Sequence, residues 1–128
     1  MKPKKIRTAV IGVGHLGRHH ARIYNELPNA ELVCVVDVNE KEGQTVAKNL
    51  NVPFEKDYRV IAKEVDAVSV VVPTVGHYEV ARFFLENGVH VLVEKPVTET
   101  IEQATALENL VTNTPLVLQV GHIERFNP

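Results

Sequence analysis

Along the chain, short apolar runs alternate with longer stretches in which apolar residues recur at helical spacing. Ile6 to Ile11 is apolar apart from Arg7 and Thr8 and reads as a buried strand. Glu31 to Val36 and Ala67 to Val72 are rich in β-branched residues, as strands covered on both faces are. Val52 to Phe54, Val89 to Val93 and Leu116 to Val120 are further strand candidates. Between the first two runs, Leu16, His20, Ile23, Tyr24 and Leu27 share one face of a helix from about His15 to Glu26, ended by Pro28 and Asn29. Asn39 with Glu42 suggests a capping box opening a helix from about Glu40 to Leu50. Residues 57 to 64 predict no more than one or two helical turns. A helix from about Val75 to Asn87 turns Ala81, Phe84 and Leu85 inward, with Gly88 at its C-terminal end. Thr100 and Gln103 open a last helix with Ile101, Ala104, Leu107 and Leu110 or Val111 on one face.

Strands alternating with helices imply βαβ units, a parallel sheet and right-handed crossovers. Six strands complete a doubly wound α/β sheet of order 3-2-1-4-5-6, a Rossmann fold. Ligands of such sheets bind beyond the carboxyl ends of the strands, at the point where the order reverses. Gly12 to Gly17, Asp37, Pro73 to His77, Glu94 to Pro96 and Gly121 to Arg125 all fall at those ends.

The first of these ends carries G-x-G-x-x-G, at Gly12, Gly14 and Gly17. The motif follows a strand and opens a helix, and Asp37 lies twenty residues beyond Gly17, at the end of the second strand. That context makes it a dinucleotide-binding fingerprint. Gly12 permits the tight turn, Gly14 leaves no Cβ between backbone and pyrophosphate, and Gly17 lets helix and strand approach. The backbone N–H groups of His15 and Leu16 then meet the pyrophosphate at the helix N-terminus. Asp37 accepts hydrogen bonds from the ribose hydroxyls and repels a 2′-phosphate, which selects NAD in preference to NADP. A capping or turn role for Asp37 is the competing reading.

Composition narrows the class. The chain has 128 residues, 45% of them hydrophobic, enough for one domain with one core. The net charge of −2 does not suggest a nucleic-acid partner, and no apolar run approaches the length of a membrane span. Cys34 is the single cysteine, so a disulfide framework within one chain is excluded and a buried structural thiol is expected. A cytoplasmic location follows as the expectation.

Glu94-Lys95-Pro96 places a lysine directly after a buried strand. Beyond that strand end the nicotinamide is expected. A lysine there is suited to bond a substrate hydroxyl, with its pKa lowered by a low-dielectric site toward acid/base work. A surface Glu–Lys pair is an equal reading on spacing alone. The series G-V-G-H-L-G, Asp37, Pro73-Thr74-x-x-His77 and Glu94-Lys95-Pro96 resembles the N-terminal half of the glucose–fructose oxidoreductase / inositol dehydrogenase (Gfo/Idh/MocA) family over the whole chain. The tripeptide is the most specific piece.

This resemblance implies an NAD(P)-dependent dehydrogenase or reductase of a sugar, cyclitol or nucleotide sugar. Lys95 would be the catalytic group between nicotinamide and substrate. Glu94 and Pro96 would fix it, across a Lys95–Pro96 bond that is often cis in relatives. Pro73, Thr74 and Glu94 would lie on the cofactor side, and His77 would meet the cofactor or the substrate. Relatives often have Thr-Pro-Asn where this chain has Val72-Pro73-Thr74, and Pro73 with the later histidine is retained.

The segment after the last strand, Gly121 to Pro128, looks like that of nucleotide-sugar members. Arg125 there would meet a substrate phosphate or carboxylate, or else form a solvated or interdomain ion pair. Residues 1–121 are thus expected to form the dinucleotide-binding domain, and 122–128 to begin the crossover to a C-terminal substrate domain not in this sequence. On that reading this stretch alone binds cofactor, is inactive and is expected as a monomer, while the full-length protein is a homo-oligomer. Two rivals are a stand-alone dinucleotide-binding regulatory module and a reductase of a non-sugar substrate such as biliverdin.

Among the histidines, His20 reads as a core residue with one satisfied nitrogen, His19 as solvent-facing and His90 as a packing or strand-end residue; His122 is open. No pair has convincing metal-ligand spacing, and no metal is expected.

Overall fold

The computed structural model describes residues 4–94 and 97–121. Its strands are β1 (Ile6–Ile11), β2 (Ala30–Val36), β3 (Phe54–Glu55), β4 (Ala67–Val70), β5 (His90–Glu94) and β6 (Leu118–Gly121). They form one sheet of order β3-β2-β1-β4-β5-β6, and every pairing is parallel. The predicted doubly wound order is the observed one, and the order reverses between β1 and β4.

Among the described residues four helices cover the sheet: α1 (His15–Glu26), α2 (Glu40–Leu50), α3 (His77–Glu86) and α4 (Ile101–Val111). Successive strand residues point to opposite faces, which divides the core in two. On one face Ala9, Ile11, Val68, Val70, Val91 and Val93 pack with Phe84 and Leu85 of α3 and Leu107 of α4. On the other, Val10, Leu32 and Val35 pack with Ala21 of α1 and Val46 and Ala47 of α2.

Helix ends follow local chemistry. The Asn39 side chain accepts the Glu42 N–H at 3.1 Å, and Thr100 Oγ1 accepts the Gln103 N–H at 3.1 Å. After α3, the Gly88 N–H reaches the Leu85 carbonyl and the Val89 N–H that of Phe84, a Schellman stop with Val89 and Phe84 both buried.

Several details differ from expectation. The inner face of α1 is Gly17, His20 and Ala21; Ile23 and Leu27 are each 46% exposed. His20 and Tyr24 of the predicted stripe do face the sheet, but Gly17 and Ala21 take the places beside them, because small residues let α1 approach the sheet. In α4 Leu107 is buried, whereas Ile101 is 82% exposed in the first turn, beyond the reach of the sheet. β3 is the pair Phe54–Glu55, displaced from Val52 to Phe54. Thr74–Gly76 form a 3₁₀ segment ahead of α3. Tyr58–Glu64 form another, which agrees with the short helical stretch expected there.

Candidate functional site

A cleft of about 710 Å³ opens at the carboxyl ends of β1, β2, β4 and β5, across the point where the strand order reverses. Its floor is the loop from β1 to α1. Gly12 has φ +94°, and a Cβ there would lie 2.8 Å from the Val71 carbonyl oxygen. A Cβ on Gly17 would overlap the Gly12 carbonyl, so this residue lets the first turn of α1 sit on the loop. Gly14 is different: a Cβ there would meet nothing within 4 Å. The fold does not require glycine at that position, but a ligand approaching the loop backbone does.

Helix α1 begins at Gly14 without a side-chain cap and without an acidic residue in its first turn. Helices α2 and α4 are both capped by side chains and carry acids there. Helix α3 also lacks a side-chain cap but carries Glu79 in its first turn. With neither cap nor acid, the α1 N-terminus is suited to an anion, and a pyrophosphate fits it.

Asp37 stands beside this loop. Its Oδ2 accepts the Val13 N–H at 2.9 Å and its Oδ1 accepts the Asn39 N–H at 2.8 Å. The turn role and the cleft role thus coexist. A carboxylate has about four acceptor sites, and these bonds use two. Ribose hydroxyls fit the remainder.

At the other end of the cleft are Pro73, Thr74, His77 and Glu94. The His77 ring is buried, and its Nε2–H donates to the Val72 carbonyl at 2.8 Å, which ties α3 to the loop after β4. Glu94 is only 7% exposed. Its Oε1 lies 3.0 Å from His20 Nε2, and His20 Nδ1 lies 3.0 Å from Ser69 Oγ. Both ring nitrogens of His20 are engaged, one more than expected, because Ser69 on β4 and Glu94 on β5 both face α1. Burial lowers the His20 pKa, against the opposing pull of the Glu94 carboxylate.

Of the sequence candidates, Gly12, Gly14, Leu16, Asp37, Pro73, Thr74, His77 and Glu94 line the cleft. Gly17 is buried beneath it, and the His15 ring is exposed against His19, centroids 5.6 Å apart. Lys95, Pro96, His122 and Arg125 lie outside the described residues, as does the whole segment 122–128. Sequence reasoning missed Val38, Glu42, Lys56 and Tyr58, which also line the cleft. Lys56 directly follows β3, and the carboxyl-end rule applied to that strand also would have found it.

The remaining candidates have ordinary structural roles. His90 Nδ1 accepts the Val117 N–H at 3.0 Å. Burial pushes the Cys34 thiol up to about 12. Among the described residues no helix is long and apolar enough to cross a membrane, and no three His, Cys, Asp or Glu side chains form a metal-holding group.

The family model for oxidoreductases with an NAD-binding Rossmann fold (GFO_IDH_MocA) matches residues 6–122. The UDP-N-acetylglucosamine 3-dehydrogenase of Acidithiobacillus ferrooxidans is 43% identical over 123 residues, which are 96% of this chain and 39% of that protein. The NAD⁺-dependent scyllo-inositol 2-dehydrogenase of Bacillus subtilis is 37% identical over 97% of this chain and 37% of its own length. Solved structures agree. That of the A. ferrooxidans enzyme superposes with TM-score 0.90 at 42% identity, over 98% of this chain and 41% of the other. That of Lactobacillus casei scyllo-inositol dehydrogenase with bound NAD(H) and scyllo-inositol gives 0.88 at 28% identity, over 97% and 38%. The chain thus spans about two fifths of the length of these relatives. It belongs to the Gfo/Idh/MocA oxidoreductase family, of which it carries the NAD-binding Rossmann domain.

Proposed function

We propose that this domain serves an NAD-dependent dehydrogenase acting on a secondary hydroxyl of a sugar, cyclitol or nucleotide sugar. The observation that carries the reading is the pairing, in one cleft, of an uncapped helix N-terminus beside Gly14 with a carboxylate at Asp37. Gly12, Gly14 and the N–H groups of His15 and Leu16 hold the pyrophosphate, and Gly17 beneath them lets the first turn of α1 sit on the loop. Asp37 accepts from the adenosine ribose. Pro73, Thr74, His77 and Glu94 border the nicotinamide end. Bound there, NAD would supply the hydride acceptor for the carbinol carbon. Lys95, next in the chain after Glu94, takes or returns the hydroxyl proton, and Arg125 meets an anionic part of the substrate.

A nucleotide-linked amino sugar is the substrate we favour, from the 43% identity to a UDP-N-acetylglucosamine 3-dehydrogenase and the sequence after β6. Residues 122–128 would lead into a substrate domain, and the whole protein would work as a cytoplasmic homo-oligomer. Neither a free-standing regulatory module nor a biliverdin-type reductase gains support from relatives that act on sugars and cyclitols.

The test is NADH formation by the natural full-length protein from NAD⁺ with UDP-N-acetylglucosamine or scyllo-inositol. Turnover with either, lowered in kcat far more than in KM by Lys95→Ala, supports the reading. Turnover unchanged by that substitution overturns the role of Lys95, and no turnover with either overturns the proposed substrates.

A further inference from the structure

Beneath the nicotinamide end of the cleft runs a buried polar chain. Tyr24 Oη lies 2.6 Å from Ser69 Oγ, Ser69 Oγ lies 3.0 Å from His20 Nδ1, and His20 Nε2 lies 3.0 Å from Glu94 Oε1. Ser69 is fully buried, His20 is 4% exposed and Glu94 7%. Tyr24 is half-buried. Three buried polar side chains with a half-buried phenol beside them are costly unless each bond is made, and an apolar set would fill the same space at lower cost. The direction of the chain follows from donor chemistry. A carboxylate only accepts, so Nε2 carries the proton. Burial keeps the imidazole neutral, so Nδ1 accepts from the Ser69 hydroxyl, which in turn accepts from Tyr24. Each member fixes the next, and the last is the cleft-lining residue directly before Lys95.

We infer that His20, held in one tautomer by Ser69 and Tyr24, is a positioning residue for the Glu94 carboxylate at the nicotinamide end of the NAD site. The inference rests on the NAD site assigned above. It adds that α1 does two jobs. Its N-terminus meets the pyrophosphate, and one turn further on His20 orients the group that borders the other half of the dinucleotide. Adenosine contacts lie elsewhere in the cleft, at Asp37, so the two halves are separable by experiment.

The experiment compares the natural full-length protein with its His20→Leu and His20→Gln variants, titrated calorimetrically with NADH and with ADP. ADP carries the adenosine and pyrophosphate part alone. His20→Leu is expected to weaken NADH binding by about tenfold, the loss of one charge-assisted hydrogen bond, with ADP affinity unchanged. His20→Gln, whose amide N–H reaches the Nε2 position, is expected to restore most of that loss. Unchanged NADH affinity in His20→Leu overturns the inference. So does a parallel loss of ADP affinity, which is the mark of a merely structural role, or a failure of glutamine to rescue. If the unsubstituted protein binds ADP but not NADH, or binds neither, the cofactor reading fails and this inference with it. Nitrogen NMR of the unsubstituted protein is an independent check: a protonated Nε2 and a bare Nδ1 on His20 are expected, and the reverse tautomer or a doubly protonated ring overturns the assignment.

Discussion

Asp37 Oδ2 accepts the backbone N–H of Val13 at 2.9 Å, so the carboxylate after β2 and the glycine loop after β1 are a single unit. The same carboxylate accepts the Asn39 N–H through Oδ1. That N–H is the one which Glu42 would bond in a complete capping box, so Asp37 also starts α2. The residue that would select the cofactor therefore also shapes the loop that would hold it.

Asp37→Ala accordingly affects stability as well as binding. Val13 is fully buried, and its N–H would lose its acceptor, at a cost of about 1–3 kcal/mol. A lower denaturant midpoint together with weaker NADH binding is expected. An unchanged midpoint would mean that water or a neighbour replaces the carboxylate.

The glycines of the loop separate fold from function. Gly14→Ala places a methyl in open space at an ordinary negative φ of −67°, so thermal stability should be unchanged while NADH affinity falls. Gly17→Ala drives a methyl into the Gly12 carbonyl, so it should destabilise the free protein with no ligand present. Parallel thermal melts of the two variants check this, and equal melting temperatures would contradict it.

Two acid limbs are expected in stability against pH. The His20 imidazole is held below its ordinary value of 6.5 by burial, so below pH 6.5 the unfolded chain binds a proton that the folded chain refuses. Stability contributed by the neutral ring is full above 6.5 and is lost as pH falls, and His20→Gln should flatten that slope. Asp66 is held at about 2 by the Arg7 guanidinium, against 3.8 ordinarily. Its contribution is present above 3.8 and lost as pH falls through about 2. Both side chains are more than a third exposed, so solvent screening limits it to less than about 1 kcal/mol. Urea titrations across pH on the His20→Gln and Asp66→Asn variants separate the limbs.

Most of the architecture was legible because a parallel sheet buries its strands on both faces, which leaves unmistakable runs such as Val35–Val36 and Val68–Val70. The glycine spacing and Asp37 were legible for the same reason, since each sits at the end of such a run. The inner face of α1 was legible only in part. His20 and Tyr24 lie on it as the spacing places them, but Gly17 and Ala21 complete it, and apolar spacing scores the larger Ile23 and Leu27 above those two. The His20–Glu94 contact joins residues 74 apart in sequence, and local pattern carries no trace of that pairing. Lys56 escaped notice because β3 has only two residues and its carboxyl end is hard to place.

The central claim is that the glycine loop and Asp37 form an NAD site. Calorimetric titration of the natural protein with NADH and, separately, NADPH tests it most directly. Tighter binding of NADH is predicted, because the Asp37 carboxylate accepts ribose hydroxyls and repels a 2′-phosphate. Equal or tighter binding of NADPH would contradict the role given to Asp37, and binding of neither would contradict the site itself.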